Sequence, residues 1–138
     1  MIVIRNINFI LYRGINLNLD ECALKFIEEF PEYKQAYHEH IENYDDLLGH
    51  VFFGDAINET LTGLLKKNED FDAIQRYINF INFMYKMGDD TVKNIVIVTI
   101  LEYLGDDKEV LTNSYNLFND DIVNASKENE RFLGRYIL

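Results

Sequence analysis

Asp89-Asp90-Thr91-Val92-Lys93-Asn94-Ile95-Val96-Ile97-Val98-Thr99-Ile100-Leu101-Glu102-Tyr103-Leu104-Gly105 is the stretch on which the fold class turns. Its middle is apolar on nearly every side: Ile95, Val96, Ile97, Val98, Ile100 and Leu101 leave no polar face. So much β-branched content suits a buried strand. Two features favour a helix instead. The stretch is longer than an ordinary strand, and its punctuation is helical: Asp89, Asp90 or Thr91 can cap the start, and Gly105 ends it. Read this way, residues 92–104 form a helix with no solvent face, which must lie centrally among others.

The neighbours agree. Upstream, Phe71, Ile74, Ile78, Ile81 and Tyr85 recur at i, i+3, i+7, i+10 and i+14, widened by Tyr77, Phe80, Met84 and Met87 and closed by Gly88. Further back, Cys22, Ala23, Phe26, Ile27 and Phe30 line one stripe over residues 20–30, with Asn18 or Asp20 as N-cap. Pro31, the sole proline, ends that helix and suits the first turn of the next, in which Tyr33, Ala36, Tyr37 and Ile41 keep the period. A break at Asn43 to Asp46 precedes a segment starting at Leu47, capped by Asp45 or Asp46. Downstream, residues 106–118 offer Val110, Leu111, Tyr115 and Leu117 to the core. Residues 119–134 form a last, thinly anchored helix with Ile122, Val123 and Ala125, then Phe132 and Leu133.

The expected fold is therefore all-α: one domain over residues 1–138, a HEAT-like stack or bundle of about six to seven helices with short connections. No repeat of fixed length is visible. The start is the exception, since residues 1–18 read as an extension or a short hairpin turning near Arg13-Gly14.

Composition narrows the function classes. The chain has 138 residues, ten Phe and nine Tyr, ample material for one aromatic core. A net charge of -11 argues against a nucleic-acid partner, which needs a basic footprint, and favours a cationic protein. The lone Cys22 excludes an internal disulfide and reads as core. The apolar Met1-Ile2-Val3-Ile4 is cut short by Arg5 and Asn6, too early for a membrane span or a cleaved leader. A cytoplasmic protein with no membrane partner is expected.

The charge is uneven. Between Lys34 and Lys66 there is no Lys or Arg, while the interval holds Glu39, Glu42, Asp45, Asp46, Asp55 and Glu59. Acids this dense repel one another, so either solvent or a cationic partner faces them. Tyr44, in the expected loop, is the candidate exposed anchor beside them, on the pattern of an aromatic hot spot with orienting charges. The geometry turns on Gly54. If it breaks the helix, Asp55 caps a second one; if not, Asp55 and Glu59 form a charged notch beside Phe52.

Other chemistries find little support. His38 and His40 are spaced i, i+2 and point to different sides of a helix, unlike the His-Glu-x-x-His metal pair. With His50 they read as solvent-exposed, so no metal or other cofactor is expected. No nucleophile motif, phosphate loop or nucleotide fingerprint accompanies the carboxylates, so no catalytic residue is expected and the chain reads as a non-enzyme.

Three pieces carry a family resemblance: Phe26-Ile27-Glu28-Glu29-Phe30-Pro31-Glu32; Tyr44-Asp45-Asp46-Leu47-Leu48 with His50-Val51-Phe52-Phe53-Gly54-Asp55; and Leu101-Glu102-Tyr103-Leu104-Gly105-Asp106-Asp107. From Ala23 to Asp107 the chain resembles a little-characterised family of small, acidic, helical bacterial proteins. Those proteins are in turn similar to immunity proteins encoded beside polymorphic or contact-dependent toxins. The resemblance implies no activity of its own. It does imply a partner: a cognate toxin, expected to be a basic nuclease, neutralised through Tyr44, Asp45, Asp46, Asp55 and Glu59, with Glu39 and Glu42 adding to the field. A HEAT-like scaffold or regulatory adaptor for a host protein is the alternative. A carboxylate enzyme, with a deep cleft at Asp55, Glu59 or His50, is the third reading.

Overall fold

The computed structural model of the chain describes residues 16–136. The hairpin expected over residues 1–18 lies almost wholly outside the described residues. At its edge Leu17 is placed by hydrogen bonds: its amide donates to Met87 O at 2.7 Å, and its carbonyl accepts from Asp89 N at 2.8 Å.

Over the described residues the fold is an all-α bundle of seven helices. Helix α1 (Leu19–Glu29) opens with a capping box: Asn18 Oδ1 accepts from Glu21 N, and Glu21 Oε1 accepts from Asn18 N. Pro31 begins a 3-10 turn (Pro31–Tyr33) that leads into α2 (Lys34–Tyr44). Helix α3 runs over residues 49–67 as three joined pieces: Gly49–Phe53, a π-helical turn Gly54–Asn58, and Glu59–Lys67. Helix α4 is Phe71–Met87. Helix α5, over residues 90–104, is again tripartite: Asp90–Asn94, a π-helical run Ile95–Leu101, and Glu102–Leu104. Helices α6 (Lys108–Tyr115) and α7 (Asp120–Leu133) complete the bundle.

The decisive stretch is thus helical, and Asp89 is its cap, accepting from Val92 N at 3.0 Å. It packs against α1, α3, α4, α6 and α7, which makes it the central helix. It is not apolar contact on every side, however, since Val98 is exposed. The buried positions explain the π-run. Val92, Ile95 and Val96 are followed by Ile100, Leu101 and Leu104, a step of five residues where a regular helix steps by three or four. A straight α-helix would turn Thr99 inward; the wider turn brings Ile100 and Leu101 there instead.

The same device resolves the question posed by Gly54. The helix neither breaks there nor runs straight, for Gly54 keeps α-region angles and Asp55 caps nothing. The π turn inserts one residue, so Phe52 and Phe53 are buried before it, Ile57 within it, and Leu61 and Leu65 after it. One helix thereby buries two sequence faces. The two π segments pack on each other, and Asn58 Nδ2 donates to Thr99 O across the contact at 3.2 Å. Gly49 permits this approach, since a Cβ there would lie 2.7 Å from Ile95 Cδ1.

Around this crossing, Phe26 touches Phe30, Phe53 and Phe80 at centroid distances of 4.7, 5.5 and 5.2 Å, stacked on the first and edge-on to the others. Each such ring, fully buried, contributes on the order of 2–3 kcal/mol. Cys22 is buried as expected. Burial first and the charge of Asp89 second push its thiol up to about 12, so it stays protonated and inert.

Helix α7 is anchored as expected at its start, where Ile122 is fully buried and Val123 packs against the core. At its end Phe132 is 88% exposed and Leu133 is exposed too. Polar contacts add to the hold: the Tyr115 and Ser126 hydroxyls are 2.7 Å apart, and Arg135, paired with buried Glu130, donates to Glu102 O.

Candidate functional site

The acidic window folds into α2, the loop after it, and the first two thirds of α3. Helix α2 ends because Asp45 takes a left-handed conformation (φ 57°), which an aspartate tolerates better than most residues. Asp46 then turns its carboxylate onto Leu47 N at 2.8 Å. Neither caps α3, which begins at Gly49 after Leu48 and has no side-chain cap. What fastens the loop is His40. Its Nε2 accepts from Leu48 N at 3.0 Å, which puts the ring proton on Nδ1, and its ring packs edge-on to Phe52. Burial of His40 corrects the expectation of three exposed histidines; only His38 and His50 are exposed. A lone buried imidazole with its acceptor used by the backbone is a structural pin. No group of three or more His, Cys, Asp or Glu among the described residues is placed to hold a metal ion.

A cleft of about 270 Å³ opens between α2 and α3. Glu39 and Asp55 stand on its opposite helices, and Tyr44, Phe52 and Tyr33 supply its rings. Of the expected partner-binding residues, the structure therefore gathers Glu39, Tyr44 and Asp55 around one opening. Glu59 follows one turn beyond Asp55 on α3, while Asp45 and Asp46 sit on the adjoining loop. Glu42 faces a separate, shallower depression shared with Pro31, Lys34 and His38. Tyr44 is 52% exposed and leans on the His40 ring at 4.7 Å, so the anchor is both presented and braced. Leu48 and Val51 are exposed close by in sequence, an apolar supplement that periodicity hides because both occupy the helix start.

All six carboxylates of the window are exposed, and none forms an ion pair among the described residues. Glu39 accepts only from the neighbouring Gln35 amide, at 3.1 Å. The arrangement can receive a cation: carboxylates from two helices line one cleft with aromatic rings, in the way a guanidinium or ammonium with an apolar stem is held. No Ser, Thr, Cys or Lys side chain lines the cleft.

Sequence reasoning missed one group elsewhere. Lys25 is 5% exposed on α1. Its signal was present, since position 25 lies three residues after Cys22 and so falls on the apolar stripe.

Residues 23–134 match a family described as a domain of unknown function, DUF7674. No curated protein and no solved structure matches the chain. The matched span contains all of α2 to α7, hence the whole cleft. Among the described residues, no helix is long and apolar enough to cross a membrane.

Proposed function

This chain belongs to the DUF7674 family, a domain of unknown function, and we propose that it is a binding inhibitor of a cationic protein, acting in the cytoplasm without catalysis. The partner we propose is the basic nuclease domain of a cognate toxin, which would make the chain an immunity protein. One observation carries this reading: the window presents six exposed carboxylates with no ion pair among the described residues, beside the braced ring of Tyr44. A nuclease is basic where it meets the phosphate backbone. An acidic surface steers association with such a cleft and competes for it. In the proposed complex, a Lys or Arg of the toxin enters between Glu39 and Asp55, its stem on Tyr44 and Phe52. Asp45, Asp46 and Glu59 meet cations around the rim, and Glu42 contributes only to the long-range field.

The test is titration calorimetry of the chain with the protein encoded immediately upstream of it. The expected outcome is tight binding, weakened by salt, with affinity falling about 100-fold or more in the combined Asp45→Ala, Asp46→Ala, Asp55→Ala variant while its circular dichroism is unchanged. Equal affinity of that variant for the partner would sink the site assignment.

A further inference from the structure

A second pocket, remote in character from the acidic cleft, opens between α1 and α4 with a volume of about 260 Å³. Phe30, Phe80 and Phe83 make its apolar walls, and Lys25, Glu29 and Arg76 its charged lining. Arg76 is fully employed: it forks onto Glu32, donates to Glu29 O at 2.9 Å, and lies 4.0 Å above the Phe30 ring. The other two charges are not. Among the described residues, the buried Lys25 ammonium makes no hydrogen bond and is held only by a long, 3.6 Å ion pair to the half-exposed carboxylate of Glu28. Glu29 Oε1 is shielded from water and accepts no hydrogen bond. The two residues stand one turn apart on α1, yet Lys25 and Glu29 form no ion pair.

Such orphans are costly, because an ammonium has three donors to satisfy and a carboxylate oxygen its lone pairs. A buried charge left this way is better explained by a ligand than by stability, since an apolar side chain of the same size would serve the core as well. The signs identify the ligand. A plain anion would satisfy Lys25 and be repelled by Glu28 and Glu29. A plain cation would satisfy Glu29 and be repelled by Lys25 and Arg76. A molecule carrying an ammonium and a carboxylate on one carbon, with an apolar body, satisfies all of the lining. The volume lies below the range of about 300–1,000 Å³ that holds drug-sized ligands, so the molecule is small.

We propose that this pocket binds a free α-amino acid with an apolar side chain: its carboxylate meets Lys25, its ammonium meets Glu29, and its side chain packs on Phe30, Phe80 and Phe83. The four-carbon stem of Lys25 lets its ammonium turn to the ligand without backbone motion.

Thermal unfolding of the full chain tests this with four probes at about 10 mM: leucine, phenylalanine, 3-phenylpropionate and phenethylamine. Leucine or phenylalanine should raise Tm by about 5 °C or more, and the singly charged analogues should not. Lys25→Met and Glu29→Gln should each abolish the rise. Lys25→Met removes a buried charge held only by its 3.6 Å pair, leaves Glu28 in contact with water and keeps an apolar stem, so its own Tm should not fall. No shift with either amino acid overturns the proposal. An equal shift with 3-phenylpropionate overturns the zwitterion assignment, and a shift that survives in Lys25→Met overturns the placement.

Discussion

Carboxylates at the corner joining α5, α6 and the chain end differ from those of the window over residues 35–65 in what holds them. At the corner, Arg135 grips the buried carboxylate of Glu130 with Nε and Nη2 at 3.0 and 2.8 Å, reaches Asp106, and donates to Glu102 O. Lys66 crosses from α3 to Asp107 and Glu109 at 3.0 and 3.1 Å. Arg76 joins α4 to Glu32. In the window, no acid has such a partner among the described residues. The cations stitch helices together where acids serve the fold. Among the described residues, six of the acids they leave without an ion pair fall in the window, and two of these, Glu39 and Asp55, line the cleft. The contrast separates negative charge tied into the fold from negative charge left exposed, which the proposed function assigns to a partner.

The largest break in this contrast should come from Arg135→Ala. It strands Glu130, which is 1% exposed, so stability should fall by about 3 kcal/mol or more in urea denaturation. The combined Asp45, Asp46 and Asp55 alanine variant should move by no more than about 0.5 kcal/mol in the same assay, because those side chains are exposed and unpaired. If the triple variant lost as much as Arg135→Ala, the window acids would belong to the fold and the contrast would collapse.

Helix number and order were readable because amphipathic periods, Asn18, Pro31, Asp89 and the flanking glycines all point one way. The two π segments were not. Their trace in the sequence is a change of phase, visible as Phe52 and Ile57 on seemingly opposite faces. A change of phase is equally compatible with a broken helix, and only the packing of α3 on α5 selects the π turn. His40 was missed for a related reason: its role depends on Leu48 N, eight residues away across a loop whose path no local pattern specifies. Exposure of the acids was legible from charge density alone. That Glu39 and Asp55 would face each other was not, since it depends on how α2 docks against α3.

A smaller effect, within the window itself, should come from Asn58→Ala. Asn58 is buried one residue from exposed Glu59, and its amide satisfies the Thr99 carbonyl between the π segments. Removing it should cost about 1 kcal/mol, moderated because its Oδ1 has no partner to lose. Binding of the cationic partner should be unaffected, which would separate the scaffold of α3 from its acidic rim residue by residue. A loss of affinity as large as that of the triple variant would instead show that the π crossing sets the cleft.

The smallest effect concerns acid. Hydrogen bonding to Arg76 holds the Glu32 carboxyl below its ordinary value, and Lys66 does the same for Asp107. A carboxyl lowered in the folded state contributes stability that is fully present above its unfolded pKa, about 4 for these side chains, and lost as pH falls through the folded value. Both pairs are well exposed, so the contribution is modest. Arg76→Gln should therefore have a slightly lower Tm than the native chain near neutral pH, and the gap should close as pH falls below about 4. A gap that persisted unchanged to about pH 2.5 would place the role of Arg76 in its contacts with Phe30 and the Glu29 carbonyl rather than in its charge pair.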